Sequence, residues 1–321
     1  MTTVETRNFV AFDFDSLLTK LFCGLVIQQE CSPRGMKVKE LVAPRLELVD
    51  PRCRLIRSST REANYGFAVG EFLWYWRGAK DLETMQYYNK RMKNFSNDGK
   101  TLNSAYGYRI RSIRNGVALD DSLIPPMRFS TQWENCIEDL FFDNDTRRAV
   151  LFIDSPYDHL VKDSKDVPCT LTLQFLLRDE QLNLHVNMRS NDAIWGLTYD
   201  LFSFTLIQEC MVLELRKRGI NCGLGSYIHT AGSMHIYERH YEMVDKFIVE
   251  NMRADNITFA QVMEGIDSLE SLDRLLCDEE ALRIGKIDLI DEYKYVGACR
   301  WMAQELNMHR MKRDNEGVKN V

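Results

Sequence analysis

Two short stretches carry the residues best suited to chemistry, Pro168-Cys169-Thr170 and Val186-Asn187-Met188-Arg189-Ser190-Asn191-Asp192. Apolar and polar residues alternate over 170–177 and again over 182–189, which predicts two half-buried antiparallel strands joined by a turn near Asp179-Glu180. Such a hairpin sets Cys169 beside Arg189. A guanidinium next to a thiol favours the thiolate, so the pair suits a nucleophile acting on an anionic substrate. An arbitrary cysteine among the nine is more often a packing residue than a nucleophile. Cys169 is set apart by Pro168, which fixes the chain direction into the strand, and by the arginine across the hairpin.

Other candidates lie outside the hairpin. Arg147, Arg148 and Arg189, with Arg34 after the Ser32-Pro33 turn, could form a phosphate cluster, since guanidinium forks match phosphate oxygens two at a time. Surface ion pairs are the bland reading of the same residues. Ser190 could add a hydroxyl donor. Glu71 sits among Phe72, Leu73, Trp74 and Trp76; burial there would raise its pKa and fit it for proton transfer, unless it merely occupies a partly exposed helix face. His235 and Tyr237 would point the same way from an extended segment, where they could hold a sugar hydroxyl, although a histidine capping a helix explains them equally well. The six histidines show no metal-ligand spacing and no Gly-rich phosphate loop occurs, which disfavours metal and nucleoside-triphosphate chemistry.

The elements that must position these groups follow from periodicity. Asp15-Ser16 reads as the cap of an amphipathic helix through Val26, residues 36–49 as strands, and Ala68 to Gly78 as an apolar helix. The polar segment 79–105 reads as a long surface excursion, 133–140 as the end of a helix, and 147–153 as a buried strand opened by two arginines. A long apolar helix spans Tyr199 to Arg218 and stops at Gly219; Ser226 to Ala231 is a short strand. The remainder reads as mostly helical, with a linker near 267–273 and a frayed tail after Arg310. Hairpins and helices in no repeating βαβ order indicate an α+β fold, helices covering one face of a mainly antiparallel sheet and the other face free for a dimer.

Bulk properties narrow the function. The 321 residues are 45% hydrophobic and 11% aromatic, an enzyme-sized globular chain rather than a disordered or fibrous one. A formal charge of −6 argues against nucleic-acid binding. The polar amino terminus and the shortness of the apolar runs point away from a signal peptide or membrane span, and cysteines without CxxC pairs fit a reduced cytoplasmic setting.

Taken in order, Gly70-Glu71-Phe72-Leu73-Trp74, Tyr106-Gly107, Arg147-Arg148, Pro168-Cys169-Thr170, Arg189-Ser190-Asn191-Asp192 through Gly196, and His235-Ile236-Tyr237 resemble the thymidylate synthase superfamily, over about residues 13–245. Within it, Val186 to Asp192, Gly232-Ser233-Met234 and Arg239-His240 look like the phage-type deoxycytidylate 5-hydroxymethylase branch. The resemblance implies a thymidylate synthase-like homodimer and a covalent mechanism. Cys169 would add to C6 of a pyrimidine nucleoside monophosphate, and C5 would take a one-carbon unit from 5,10-methylenetetrahydrofolate, with no metal. It further implies that Glu71 and Tyr106 manage protons and ordered water, that Asp192 and Gly196 contact the folate, and that His235 and Tyr237 face the ribose. Arg34, Arg189, Ser190 and Asn191 would lie on the substrate side, with Arg147 and Arg148 reaching the phosphate from the partner subunit. Asp200 stands where synthases carry an asparagine that reads uracil; an acidic side chain can accept from the cytosine amino group, which points to a cytidylate, CMP or dCMP.

The chain also departs from the synthase pattern. Segment 87–97 has no tryptophan where synthases shield the methylene intermediate, which would ease water access and hydroxymethylation. The whole chain, 1–321, reads as one catalytic domain with a divergent helical extension from about residue 246. A synthase methylating deoxyuridylate and a catalytically silent nucleotide-binding relative stay open as alternatives, as does the choice of sugar.

Overall fold

The computed structural model describes residues 7–112, 131–253 and 262–319. Strand β1 (Asn8–Ala11) leads into helix α1 (Phe14–Val26), followed by β2 (Glu30–Cys31), β3 (Val38–Val42) and β4 (Arg45–Leu48). Helices α2 (Tyr65–Arg77), α3 (Leu82–Tyr88), α4 (Tyr106–Arg111) and α5 (Gln132–Phe142) come next, before the edge strand β5 (Val150–Phe152). The hairpin β6 (Thr170–Arg178) and β7 (Gln181–Asp192) precedes α6 (Gly196–Lys217) and β8 (Gly223–Tyr237). Three helices finish the chain, α7 (Tyr241–Arg253), α8 (Leu269–Arg283) and α9 (Gly297–Lys319).

The sheet runs β1-β4-β8-β7-β6-β5, with β3 also on β8 and β2 on β3. Most pairings are antiparallel, as the α+β reading expects, but β1–β4 and the central β7–β8 pair are parallel. Asp179 and Glu180 close the hairpin with φ of 49° and 57°, the doubly left-handed backbone of a two-residue turn whose twist matches its strands. Leu182, Leu184, Val186 and Met188 are buried on one face of β7 while Asn183, His185 and Asn187 stay half-buried on the other. A slip of one residue would reverse the faces, so this alternation fixes the register. Helix α6 is buried nearly all round through its middle turns. Its Gln208 Nε2 donates to the carbonyls of Leu182 and Gly225 at 2.8 and 3.1 Å, where the β7–β8 register shifts.

Several boundaries differ from the sequence expectation. The cap of α1 is Asp13, which accepts from Ser16 N, whereas Asp15 is buried and accepts from the backbone and side chain of Arg57. Segment 79–105 is not a bare excursion: Leu82, Met85 and Tyr88 recur on one helix face and are buried. Helix α5 begins at Gln132 with a Thr131–Glu134 capping box, so 133–140 is its body; residues 113–130 lie outside the description. The buried strand expected over 147–153 shrinks to three residues at the sheet edge, with Phe152 exposed. Strand β8 is much longer than 226–231, because β4 and then β3 pair with successive halves of it. Ser268 caps α8 where a linker was expected, and α9 continues helically past Arg310.

Helix α4 crosses α2 at Gly107, where a β-carbon would overlap the Tyr75 backbone. That close approach stacks Tyr106 on Tyr75, ring centroids 5.5 Å apart. Replacing Gly107 with alanine should therefore force the helices apart and cost about 1–3 kcal/mol, measured by urea unfolding; an unchanged midpoint would show that the crossing has slack.

Candidate active site

Strand register delivers the first pair. Thr170 lies opposite Met188, and Arg189 N donates to the Cys169 carbonyl at 2.8 Å. The Arg189 side chain bends over the same corner, Nε donating to Pro168 O at 2.8 Å and Nη2 to Val167 O at 3.0 Å. Arg34 also acts on the Cys169 sulfur from its turn, where it holds a φ of 55°, an unusual conformation for a residue with a side chain. The expectation of a resting thiolate needs correction. Burial is the largest influence and pushes the Cys169 thiol up; Arg189 and Arg34 pull it down, and Asp200 and Asp166 push it up again. Two exposed guanidiniums do not outweigh the loss of water and two opposing carboxylates.

Two carboxyls sit deep in the same cluster, Asp200 acting on the sulfur and Glu71 feeling the charge of Asp200. Glu71 projects from α2 and is pushed up to about 8, by burial first and then by the charge of Asp200. Asp200, in the second turn of α6, is pushed up to about 7 by burial, with Asn191 as the hydrogen-bond partner that opposes the rise. Burial also raises Tyr106 and Tyr75, both within reach of the Asp200 charge, and Tyr75 hydrogen-bonds to Glu71 one helical turn earlier. Glu71, Asp200 and Tyr106 nevertheless keep some accessible surface, and together they form the floor of the candidate site. Two acids shifted toward their neutral forms, a thiol and two phenols thus replace the ion pairs that a fully charged floor would require.

Around this floor the remaining candidates are disposed unequally. Asn191 turns inward, 3% exposed, and Nδ2 donates to Asp200 Oδ2 at 3.2 Å. Ser190, half-buried, pairs with Ser233 on β8, and Asp192 pairs with His235 while its Oδ1 accepts from Ile194 N at 2.8 Å. His235 and Tyr237 share one side of β8, rings 5.1 Å apart and nearly perpendicular, as their spacing predicts. Burial lowers the His235 pKa, so the imidazole favours its neutral form, while Asp192 and Glu40 oppose that shift. Gly196 lets Asn191 Oδ1 approach the start of α6, where a β-carbon would overlap it.

Arg147 and Arg148 are not brought to the site within one chain. Gln174 Nε2 donates to Arg147 O, and Phe175 N to Ala149 O, which sets the pair beside the far end of β6. Some six residues of strand, roughly 20 Å, separate that point from Cys169. Both side chains are exposed.

An aromatic shelf adjoins the floor. Trp195, 46% exposed, stacks with Tyr199 at 6.4 Å, and the Arg61 guanidinium lies 4.5 Å from the indole centroid. Sequence reasoning missed this shelf, Tyr75, and the buried pair Tyr227 and His229. Tyr75 was visible as i+4 from Glu71, and Tyr227 and His229 as odd positions eight and six residues before His235 in the alternation that ends at Tyr237. Two roomy clefts lie elsewhere, about 760 Å³ around Lys80, Tyr108 and Tyr157 and about 920 Å³ around Glu62, Tyr87 and Arg313.

Comparison with known proteins follows the same outline. A family model described as thymidylate synthase matches residues 45–276. The deoxyuridylate hydroxymethyltransferase of Bacillus phage SP01 is 34% identical over 244 residues, 74% of this chain and 61% of that protein. Its counterpart from Pseudomonas phage M6 is 30% identical over 239 residues, 74% and 62%. The deoxycytidylate 5-hydroxymethyltransferase of Enterobacteria phage T4 is 31% identical over 154 residues, 45% and 55%. The chain spans about three fifths of the length of the first two relatives. Thermostable thymidylate synthase A from Bacillus subtilis superposes with a TM-score of 0.59 at 18% identity, covering 74% of this chain and 84% of that one, a likeness of fold.

The raised carboxyls have a consequence for stability. Asp200 and Glu71 ionise later when folded than at their ordinary 3.8 and 4.5, so the folded state binds more protons and loses stability as pH rises through about 7 and about 8. Asp200→Asn, a neutral isostere, should stabilise the protein above neutrality by on the order of 2 kcal/mol, allowing for the solvent contact the carboxyl keeps. Urea unfolding across a pH series checks this: the gain should shrink toward about pH 4, where the native carboxyl is already protonated, and a pH-independent difference would show ordinary titration.

Proposed function

The chain belongs to the thymidylate synthase family, and from that premise and the geometry around Cys169 we propose a folate-dependent hydroxymethyltransferase acting at C5 of a pyrimidine deoxynucleoside 5′-monophosphate. The observation that carries the reading is the clustering of Cys169, Glu71 and Tyr106 around Asp200, with Arg189 and Arg34 acting on the same sulfur. All the relatives described above are named for deoxynucleotides, which favours deoxyribose over ribose.

Cys169 is the nucleophile. Its sulfur adds to C6, which moves the ring electrons to C5; the rim arginines and the bound phosphate keep the ring over the thiol. Burial keeps the resting thiol protonated, so its proton must leave as the ring is seated, and a protonated Asp200 removes one of the charges that oppose this. Glu71, poised near neutrality and backed by Tyr75, exchanges protons with the ring and with water. Bound on the Trp195–Tyr199 shelf beside Asp192 and Gly196, 5,10-methylenetetrahydrofolate would supply a one-carbon unit at the oxidation level of formaldehyde. Loss of the C5 proton and departure of tetrahydrofolate would leave an exocyclic methylene on the base; water adds to that carbon to complete the hydroxymethyl group, and release of the sulfur from C6 restores the aromatic ring.

Deoxycytidylate is the first reading of the base, because an acidic side chain at position 200 can accept from its amino group. Deoxyuridylate is the second, favoured by the two relatives with the longer matches. Incubation with methylenetetrahydrofolate and each nucleotide decides the reaction. Gain of CH2O on the base without dihydrofolate absorbance is the expected result; dihydrofolate formation would instead mean methylation by hydride transfer. Cys169→Ser should abolish tritium release from C5-labelled substrate and retain nucleotide binding, and undiminished release would refute the nucleophile.

The remote Arg147 and Arg148 serve the phosphate of a partner subunit across the half-buried face that carries Asn183, His185 and Asn187. Mixing Cys169→Ser chains with Arg147→Ala/Arg148→Ala chains should then restore activity to about a quarter of wild type, since half the dimers are mixed and each has one complete site. No recovery on mixing would place those arginines outside the site.

A further inference from the structure

Behind Asp200 lies a buried hydrogen-bond chain with no part in the chemistry above. Tyr227 Oη and His229 Nδ1 are 2.9 Å apart, His229 Nε2 and Asn191 Nδ2 are 3.1 Å apart, and Asn191 Nδ2 donates to Asp200 Oδ2 at 3.2 Å. Tyr227, His229 and Asn191 are all essentially enclosed. Burial drives the His229 pKa down to about 3, so the ring is neutral. An amide nitrogen cannot accept, so Nε2 is the acceptor and the ring proton sits on Nδ1 toward Tyr227. Met188 Sδ, 2.9 Å from the same nitrogen, is a third acceptor around it. The amide is thereby locked with nitrogen toward Asp200 and Oδ1 against Gly196, where that oxygen is buried without a hydrogen-bond partner.

The lock matters because of what a protonated carboxyl can pair with. One oxygen then donates and the other accepts, and exchanging the two fits either base: donor to O4 and acceptor from N3–H for uracil, or donor to N3 and acceptor from the amino group for cytosine. An asparagine amide can make the same exchange only by turning over. Left to itself, a neutral Asp200 would read both pyrimidines. We propose that Asn191, held by His229 and Tyr227, is the positioning residue that sets base specificity: by donating to Oδ2 it makes that oxygen the acceptor, leaves the proton on Oδ1, and admits one base edge. Burial raises Asp200 to about 7, so a large share of the carboxyl is protonated at neutral pH, and the groups that face it, Glu71, Cys169, Tyr75, Tyr106 and Tyr227, are all acids that feel its charge when it ionises.

The inference rests on the nucleotide reading of the site, and the experiment separates the two. Dissociation constants for dUMP and dCMP, and kcat/KM with methylenetetrahydrofolate, are measured for the full chain and for Asn191→Leu, His229→Leu and His229→Gln. Wild type should prefer one base by at least about tenfold, the cost of one mismatched buried hydrogen bond. Asn191→Leu should bring the two bases within about threefold, and His229→Leu should relax the preference in the same direction. His229→Gln, whose amide oxygen can still accept from Asn191, should keep the wild-type ratio. Equal losses for both bases with an unchanged ratio would make Asn191 a packing residue and overturn the proposal. So would a wild type that does not discriminate. A protein that binds the nucleotides selectively but turns over neither would defeat the hydroxymethyltransferase reading while the binding ratios still decide the role of Asn191. Binding of neither would overturn both.

Discussion

Glu71 and Asp200 share one water-poor enclosure in which the charge of one acts on the other, and two carboxyls so placed resist carrying charge together. Much else in the site follows from that constraint. Burial and the Asp200 charge hold the Cys169 thiol toward its protonated form, the phenols of Tyr75 and Tyr106 stay neutral, and a protonated Asp200 offers a donor as well as an acceptor. A floor of neutral, hydrogen-bonding groups is also cheaper to bury than a floor of ions.

Holding such a floor falls to the most rigid parts of the fold. Asp200 rides on α6, enclosed through its middle turns; Glu71 rides on α2, sandwiched between α6 and α9; and Cys169 sits at the mouth of a hairpin whose register is fixed by its turn and by alternating burial. Gly107 and Gly196 permit the two closest approaches, one bringing Tyr106 onto Tyr75 and the other bringing Asn191 against the first turn of α6. The groups at the rim, Arg34, Arg189 and Trp195, are exposed and sit on strand ends and turns, where a ligand can reorganise them at little cost to the core.

The sheet divides labour along its strands. One end of β6 and β7 carries the thiol and the carboxyl neighbourhood, the other carries Arg147 and Arg148, which lie too far along the strand to serve the same chain's sulfur. Under the reading proposed above, a second copy seated on the half-buried polar face of the sheet would bring the two ends together.

Local pattern was enough to recover a good deal. Strand alternation gave the hairpin and the Cys169–Arg189 pairing, helical periodicity gave α2 and α6, and the paired odd positions gave His235 and Tyr237, because all of these depend on period and spacing alone. The motif order gave the family before any coordinates. What failed at this level was whatever depends on partners distant in sequence: the length of β8, set by β3 and β4; the burial of α3; and the helical end of the chain, where α9 packs on α2. The charge of the thiol was misjudged for the same reason, since desolvation and the Asp200 carboxyl enter only when remote segments close over Cys169. The amino-acid order by itself determined which groups could react and on which faces they stand; the tertiary structure decided their protonation and who holds whom, because pKa and hydrogen-bond direction are properties of an enclosure that no short segment can make.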